Sequence, residues 1–383
     1  MLINNDTDFK AFLKRCEASR YLAIDTEFLR EKTYYAQLCL IQMCIEGEIA
    51  IVDPFGIKDL SIMAPILTNP NVLKIFHACS QDVEILYHVT GVVPAPIFDT
   101  QVAASLLGKT QQASYSSLVQ AYCDVMLPKK DSFTDWSRRP LTKSQVCYAA
   151  DDVKYLPQIW RRMVDVLKKK DRLSWLDEAF EGLSDPTRYD VDPRTRWRKL
   201  RRVNQLSLRQ QAAAREFAEW RELRAQRADV PRKWIVSDEQ IVEACRREAR
   251  TLDELYMVRG LRDSLKTADA RKVVQCIVRG LDLPEDQLPH NEGRPRNEAN
   301  VDIIVDLMNA LVHLRAREHQ IAAQTLAPQS ELMKLARGHF EDCELLQGWR
   351  YRIVGRELME MMEGRFSLGL KDGALQIVPS TQA

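Results

Sequence analysis

Tyr21-Leu-Ala-Ile-Asp25-Thr-Glu27-Phe28 decides how the first half of this chain is read. The run is apolar enough for a buried strand, yet two acids interrupt it. Along a strand residues i and i+2 face the same way, so Leu22, Ile24 and Thr26 point to one side and Ala23, Asp25 and Glu27 to the other. Two neighbouring carboxylates on one face of such a strand are costly to desolvate unless something cationic neutralises them. Taken alone, an Asp-x-Glu pair is equally the polar side of a solvated strand. Its meaning depends on what surrounds it.

Three further patterns supply the company. Asp82, in His77-Ala-Cys-Ser-Gln-Asp82, falls in the first turn of a helix that follows the apolar run Val72–Phe76, with Ser80 as candidate N-cap. By itself an acid there simply complements the helix dipole. Tyr148 and Asp152, in Tyr148-Ala-Ala-Asp-Asp152, lie four apart on an expected helix and share its face with Leu141 and Gln145. Asp151 points about 100° away and serves as a built-in control. Asp99 reads as the cap of a helix over Thr100–Leu107. Four carboxylates without histidine or thiolate suit hard cations, Mg²⁺ or Mn²⁺, and disfavour zinc. Two such ions held roughly 3.5–4 Å apart by shared carboxylates serve in-line phosphoryl displacement.

From residue 20 to about 170 the pattern is α/β. Tyr21–Phe28, Ala36–Ile45, Glu48–Val52 and Val72–Phe76 are expected strands, the second and third joined through Gly47 as a hairpin. Asp82–Val89 should be a helix ended by Gly91. A long helix starts near Thr142 and runs through Asp152 toward Val166, kinked or split by Pro157. Beyond about residue 204 no strand pattern is strong. Ser207–Ala228 is amphipathic, while Ser237-Asp-Glu-Gln240 and Thr251-Leu-Asp-Glu254 are capping boxes. Pro284, Pro289, Gly293 and Pro295 mark a linker, and helices restart at Val301. Arg317–Arg352 echoes Arg227–Arg262 at an offset of about 90 residues, as two copies of one small helical module do.

At 383 residues, with 45% hydrophobic and 28% charged side chains, the chain is a soluble globular protein of two or three domains. No apolar run approaches the roughly 18 residues of a membrane span, and the first residues lack a secretory pattern. Nine cysteines without a Cys-x-x-Cys pair, most of them in apolar stretches (Cys39, Cys44, Cys147), read as reduced core thiols. The expected location is the cytoplasm. The net charge of +1 hides an uneven distribution. Residues 1–190 carry 22 basic and 25 acidic side chains, residues 191–233 carry 13 and 5, and residues 234–383 carry 20 and 24. The short middle segment therefore holds a net +8, the footprint of a polyanion contact or of a solvated basic helix face.

Asp25-Thr-Glu27, Asp82 and Tyr148-x-x-x-Asp152 together resemble the tyrosine-type DEDD 3′→5′ exonuclease motif. The stretch from Asp25 through Gln42, with Trp136-Ser-Arg-Arg-Pro-Leu141 and Tyr148-Ala-Ala-Asp-Asp-Val153, is similar to bacterial ribonuclease D. Asn204-Gln-Leu-Ser-Leu-Arg209 and Ile235-Val-Ser-Asp-Glu-Gln-Ile241 resemble the helical module shared by RecQ-type helicases and ribonuclease D (HRDC). Residues 298–376 fit that module loosely. The resemblance implies an α/β exonuclease with a ribonuclease-H-like mixed sheet and flanking helices over 1–180, followed by two small all-α domains over 204–285 and 298–376, with a basic linker at 181–203 and another at 286–297.

It also implies roles. Asp25, Glu27 and Asp152 hold one divalent ion, and Asp25 bridges to a second that Asp82 supports. Tyr148 orients the attacking water, since a phenol titrating near 10 is a poor base at neutral pH. Thr26, Phe28, Gln37, Gln42 and His77 stand near the terminal nucleotide, although a lone His77 is more simply a satisfied core histidine. Arg194, Arg196, Arg198, Lys199, Arg201, Arg202, Arg221, Arg224, Arg232 and Lys233 are the expected RNA contacts, fixing register through phosphates without reading sequence. The implied activity is trimming of RNA 3′ ends, with tRNA precursors as substrates and nucleoside 5′-monophosphates as products, by a monomer without organic cofactor. A DNA 3′→5′ exonuclease uses the same acids, and a non-catalytic RNA-binding scaffold is a third reading against which the five intact positions count.

Overall fold

Tyr21–Leu29 forms the expected strand, β2, inside a six-stranded sheet. The computed structural model describes residues 1–128, 134–289 and 300–380. The other strands are β1 (Leu2–Ile3), β3 (Gln37–Ile45), β4 (Glu48–Val52), β5 (Leu73–Phe76) and β6 (Ile97–Asp99), in the order β1-β4-β3-β2-β5-β6. The β2–β3–β4 meander is antiparallel and the remaining pairs are parallel, so the sheet is mixed. Glu46 and Gly47 both take positive φ (42° and 84°), as a two-residue turn that matches strand twist requires.

The period-2 pattern of β2 divides two layers. Leu22 and Ile24 pack with Phe9 and Phe12 of the helix Asp6–Cys16 and with Val83 and Leu86 of the helix Ser80–Thr90. Tyr21 and Ala23 on the other face meet Val153 and Leu156. The long helix is split, as Pro157 allowed: Lys143–Lys154 ends and Leu156–Lys169 begins, with Pro157 in its first turn. The short edge strands β1 and β6 and the helix Asp6–Cys16 were not expected, and two or three residues of strand leave little periodicity to read.

The helical half is organised less simply than its sequence. Trp197, Leu200 and Val203 belong to the same core as Phe217 of the helix Leu208–Ala228 and Ile277 of the helix Thr267–Leu281. The stretch read as a linker over 181–203 is thus packed at both ends, since Leu183 and Tyr189 join the nuclease core. Of the linker at 286–297, residues 290–297 lie outside the described residues, as do 298 and 299. The internal repeat is visible in the backbone. Helices Leu208–Ala228 and Asp302–His319 end on left-handed Asp229 and Gln320, and each is followed by a four-residue helical turn, Arg232–Ile235 or Ala323–Leu326.

The two copies differ in their partners. The second shares one core with the nuclease, in which Met308, Leu311, Leu326 and Leu358 pack with Phe98, Ala103, Ile159 and Met163. Trp175 stacks on Trp349 with ring centroids 4.6 Å apart, and Arg172 donates to the carbonyls of Leu106 (2.9 Å) and His319 (2.7 Å). The expectation of an all-α second copy is corrected at its end, where Phe366–Lys371 and Ala374–Pro379 form an antiparallel hairpin, β7 and β8. Its turn, Asp372-Gly373, has positive φ at both residues and is the strongest short-range hairpin signal a sequence carries.

Candidate active site

Three of the expected acids converge. Asp25 and Glu27 project from the face of β2 that the helix Lys143–Lys154 covers, and Asp152 comes down from that helix. One carboxylate oxygen from each of Asp25, Glu27 and Asp152 lies within 4.8 Å of the others. Thr142 and Gln145 close a reciprocal capping box that starts the helix, which sets its phase. Its end is set by Tyr115, whose hydroxyl donates to the Asp151 carbonyl (2.8 Å) and accepts from the Tyr155 N–H (3.3 Å). That hydroxyl stands where the next i→i−4 bond of the helix belongs, so a side chain inserted in the ladder separates the two helices immediately after Asp152. Nothing in the sequence marks Tyr115 for this task.

A register shift re-aims β2 past the acids. Glu27 pairs with Leu40 but Phe28 pairs with Leu38, leaving Cys39 as a bulge. The Arg139 guanidinium donates to the Cys39 carbonyl, to Asp53 and to the Trp136 carbonyl, each at 2.8 Å. The Trp136 ring lies 6.0 Å from that of Tyr148. The Trp136–Leu141 motif therefore works as a clasp between the bulge beside Glu27 and the helix carrying Tyr148 and Asp152.

Asp82 reaches the cluster from the opposite layer. It stands outside the tight trio and accepts a 2.5 Å hydrogen bond from Thr26, whose side chain faces away from Asp25. Ser80 lies within the helix and caps nothing; the turn ahead of it is held by Asp99. The Asp99 carboxylate accepts from the N–H groups of Gln101 (2.7 Å) and Val102 (3.3 Å), as a helix cap does, and from Ala78 (3.1 Å) and Cys79 (2.8 Å). Asp99 is a cap, as expected, and is also the anchor of the turn that delivers Asp82.

The cluster resists ionisation. Burial, and then Asp82, Asp152 and Glu27, push Asp25 well above the ordinary carboxylate range. Burial with Asp152 and Asp82 raises Glu27 to about 8. Burial, opposed by the Thr26 hydrogen bond, raises Asp82 to about 7, and burial with Asp151 raises Asp152 to about 7. Four acids that share protons in this way are a site awaiting positive charge. An all-oxygen donor set is the chemistry of a hard divalent cation, so the residues fit the ion that the motif implies.

The residues expected around the nucleotide separate. Phe28 is half-buried under the Arg30 guanidinium, 5.9 Å from its ring, and Gln37 is exposed at the start of β3. Thr26 is engaged by Asp82. His77 is half-buried, its Nδ1 lies 2.9 Å from the Thr100 hydroxyl, its ring packs on Tyr115, and burial lowers its pKa. Gln42 is fully buried, beneath the acids and out of a nucleotide's reach.

The basic segment is less free than its charge implies. Arg221 is buried and bonded to Asp238 and the Val236 carbonyl, which removes it from the expected phosphate contacts. Arg196 and Arg232 both pair with buried Glu222, Arg194 with Glu216 and Glu219, and Arg224 with Asp269. Arg198 lies over the Trp197 ring. Lys199, Arg201, Arg202 and Lys233 are exposed and make no ion pair with a described residue. Tyr34, from the loop after β2, donates to Glu222, and Asp229 accepts from the N–H groups of Tyr34 and Tyr35 at 3.0 and 3.1 Å. A cleft of about 630 Å³ lies at this junction, lined in part by Arg30, Tyr35, His88, Lys199 and Lys233. Sequence distance hides such pairings, because they join residues up to 195 positions apart. All nine cysteines are free thiols, but Cys147 is exposed, contrary to its apolar context in the sequence.

Known proteins resemble this chain in sequence and fold. Residues 1–168 match the family model described as 3′-5′ exonuclease, and residues 210–277 match the HRDC domain. A ribonuclease D of Sphingobium indicum is 37% identical over 380 residues, covering 98% of each chain. The crystal structure of Escherichia coli RNase D, described as an exoribonuclease involved in structured RNA processing, superposes with a TM-score of 0.82 at 30% identity, covering 95% of this chain and 98% of that one. The catalytic core of RRP6 from Trypanosoma brucei shares the fold at 23% identity and a TM-score of 0.54, over 73% of this chain and 79% of that one. Among the described residues no helix is long and apolar enough to cross a membrane. The chain belongs to the ribonuclease D family and is a 3′→5′ exoribonuclease.

Proposed function

We propose that this exoribonuclease trims the 3′ ends of structured RNAs, tRNA precursors foremost, in the cytoplasm as a monomer, using two Mg²⁺ or Mn²⁺ ions and no organic cofactor. The observation that carries the reading is the convergence of Asp25, Glu27 and Asp152, with Asp82 braced by Thr26 at their side. Asp25, Glu27 and Asp152 are assigned to one ion, with Asp25 shared and Asp82 supporting the second. Bound there, such ions supply an activated water and stabilise the leaving 3′ oxygen. Tyr148 is assigned the orientation of that water through its hydroxyl, without taking its proton. Residues 1–180 carry the chemistry, 204–285 dock the RNA and 298–376 brace the nuclease. The exposed cations Lys199, Arg201, Arg202 and Lys233 are the phosphate contacts we retain from the basic segment.

The test offers 5′-labelled single-stranded RNA and matched DNA to the purified chain with Mg²⁺. The expected result is stepwise shortening of RNA from its 3′ end, with 5′-monophosphates released and DNA shortened far more slowly. Equal rates on both overturn the RNA assignment. Replacing Lys199, Arg201, Arg202 and Lys233 together by Gln is expected to weaken RNA binding about tenfold near physiological salt. The slope of log K against log salt should flatten by up to about 3, from roughly 0.7 per lost single-strand phosphate contact. Unchanged affinity and slope in a filter-binding titration return the four to a solvated face.

A further inference from the structure

Gln42 faces the site, and its chemistry there is unaccounted for. In the β2–β3 ladder it is the register partner of Asp25, so the two side chains rise from the same face, with Cβ atoms about 4.5–5.5 Å apart. Its partner on β4 is Ile51, and Leu40, which faces the same way two residues before it, is the partner of Glu27. Ala149 of the covering helix packs with Leu40 and Ile51 over this patch. Gln42 is 0% exposed, and neither its amide nitrogen nor its amide oxygen has a hydrogen-bond partner among the described residues. A buried amide left in that state is expensive and rare, and an apolar residue of the same shape fills the space at lower cost. Of its two register partners, Ile51 gives the amide nothing to bond, and Asp25 is the polar one.

We propose that Gln42 is a positioning residue for Asp25: its amide nitrogen donates to one Asp25 oxygen and so presents the other to the bound cation. Hydrogen bonds of this kind hold ligands to metals in a fixed orientation, and their loss typically weakens metal affinity by about 10–100-fold. The proposal rests on the metal-binding role assigned to Asp25 above. It also gives the unsatisfied amide an opposite sign in two states, a liability in the metal-free protein and a gain in the loaded one.

Gln42→Met keeps length and volume and removes both polar atoms. Its thermal midpoint in EDTA is expected to equal or exceed that of the unsubstituted chain, while calorimetric titration without RNA shows Mn²⁺ binding at least tenfold weaker. The Mg²⁺ concentration for half-maximal trimming should rise by a similar factor, with KM for RNA unchanged at saturating Mg²⁺. Mn²⁺ affinity within twofold of the unsubstituted chain overturns the proposal. A fall in the EDTA midpoint that accompanies the affinity loss also overturns it, because that is the signature of a packing role. Gln42→Leu repeats the measurement should the Met variant not fold. In an Asp25→Asn background Gln42→Met should produce no further loss of Mn²⁺ binding; an undiminished loss there overturns action through Asp25. If the unsubstituted chain itself binds no Mn²⁺, the metal reading falls and this proposal falls with it, whereas Mn²⁺ binding that Gln42→Met leaves intact overturns this proposal alone.

Discussion

Asp25→Asn is expected to lower the rate of 3′ trimming by a thousandfold or more while raising the melting temperature of the metal-free protein. The two signs have one cause. Burial and each of the other three acids push the ionisation of Asp25 well above the ordinary carboxylate range. Removing its charge relieves that repulsion, so the fold gains. On the proposed mechanism the same charge holds a cation against the scissile phosphate, where electrostatic stabilisation amounts to several kcal/mol and each 1.36 kcal/mol is about tenfold in rate. Asp152→Asn should behave alike. Asp151→Asn, one residue away, should keep activity within about twofold, because its carboxylate points to the surface 3.9 Å from Lys154. Trimming assays with melting curves in EDTA check all three variants. Should Asp151→Asn be as inactive as Asp152→Asn, the assignment of the helix face is wrong.

The second large effect is the dependence of metal-free stability on pH. Glu27, Asp82 and Asp152 carry folded-state pKa values of about 8, 7 and 7, above the ordinary carboxylate range. The folded chain therefore holds more protons than the unfolded chain between about pH 4 and 8, and stability falls as pH rises through that window. Each pKa unit corresponds to about 1.4 kcal/mol. A divalent ion displaces those protons, so its stabilisation should be small at pH 6 and large at pH 8. At a hundredfold excess over Kd, ligation adds about 2.7 kcal/mol, or roughly 3 °C in a chain of 383 residues. Melting curves at pH 6 and 8, with EDTA and with Mg²⁺, measure this directly. An EDTA midpoint that does not change between those values removes the acids from the protein's stability altogether.

Legibility differed by range. The alternation in Tyr21–Phe28, the Gly47 turn and the capping boxes at Ser237 and Thr251 are local signals, and each produced its element in the expected place. The spacing of Tyr148 and Asp152 likewise fixed a shared helical face. What could not be read were facts of distance. The carboxylate of Asp99 joins two helix entrances, the hydroxyl of Tyr115 opens a helix from outside it, and Glu222 absorbs two arginines that composition counts as free charge. Gln42 illustrates the same limit. Its proximity to Asp25 in space follows from the hairpin register, but its full burial follows from the helix laid across it. The hairpin at Asp372-Gly373 is different, because its signal was present in the sequence.

The core that the second helical copy shares with the nuclease has a temporal consequence. Ile159 and Met163, on the helix that continues from Asp152, are covered by residues made roughly 140 to 200 positions later. Synthesis proceeds from the N-terminus, so the growing chain carries all five motif positions for a long interval before their supporting helix has its cover. The intervening helical copy is meanwhile a handle fixed to one body at both ends. Cutting the handle on one side should leave the two halves associated, whereas removing residues after about 300 should expose an apolar surface and leave the nuclease unfinished.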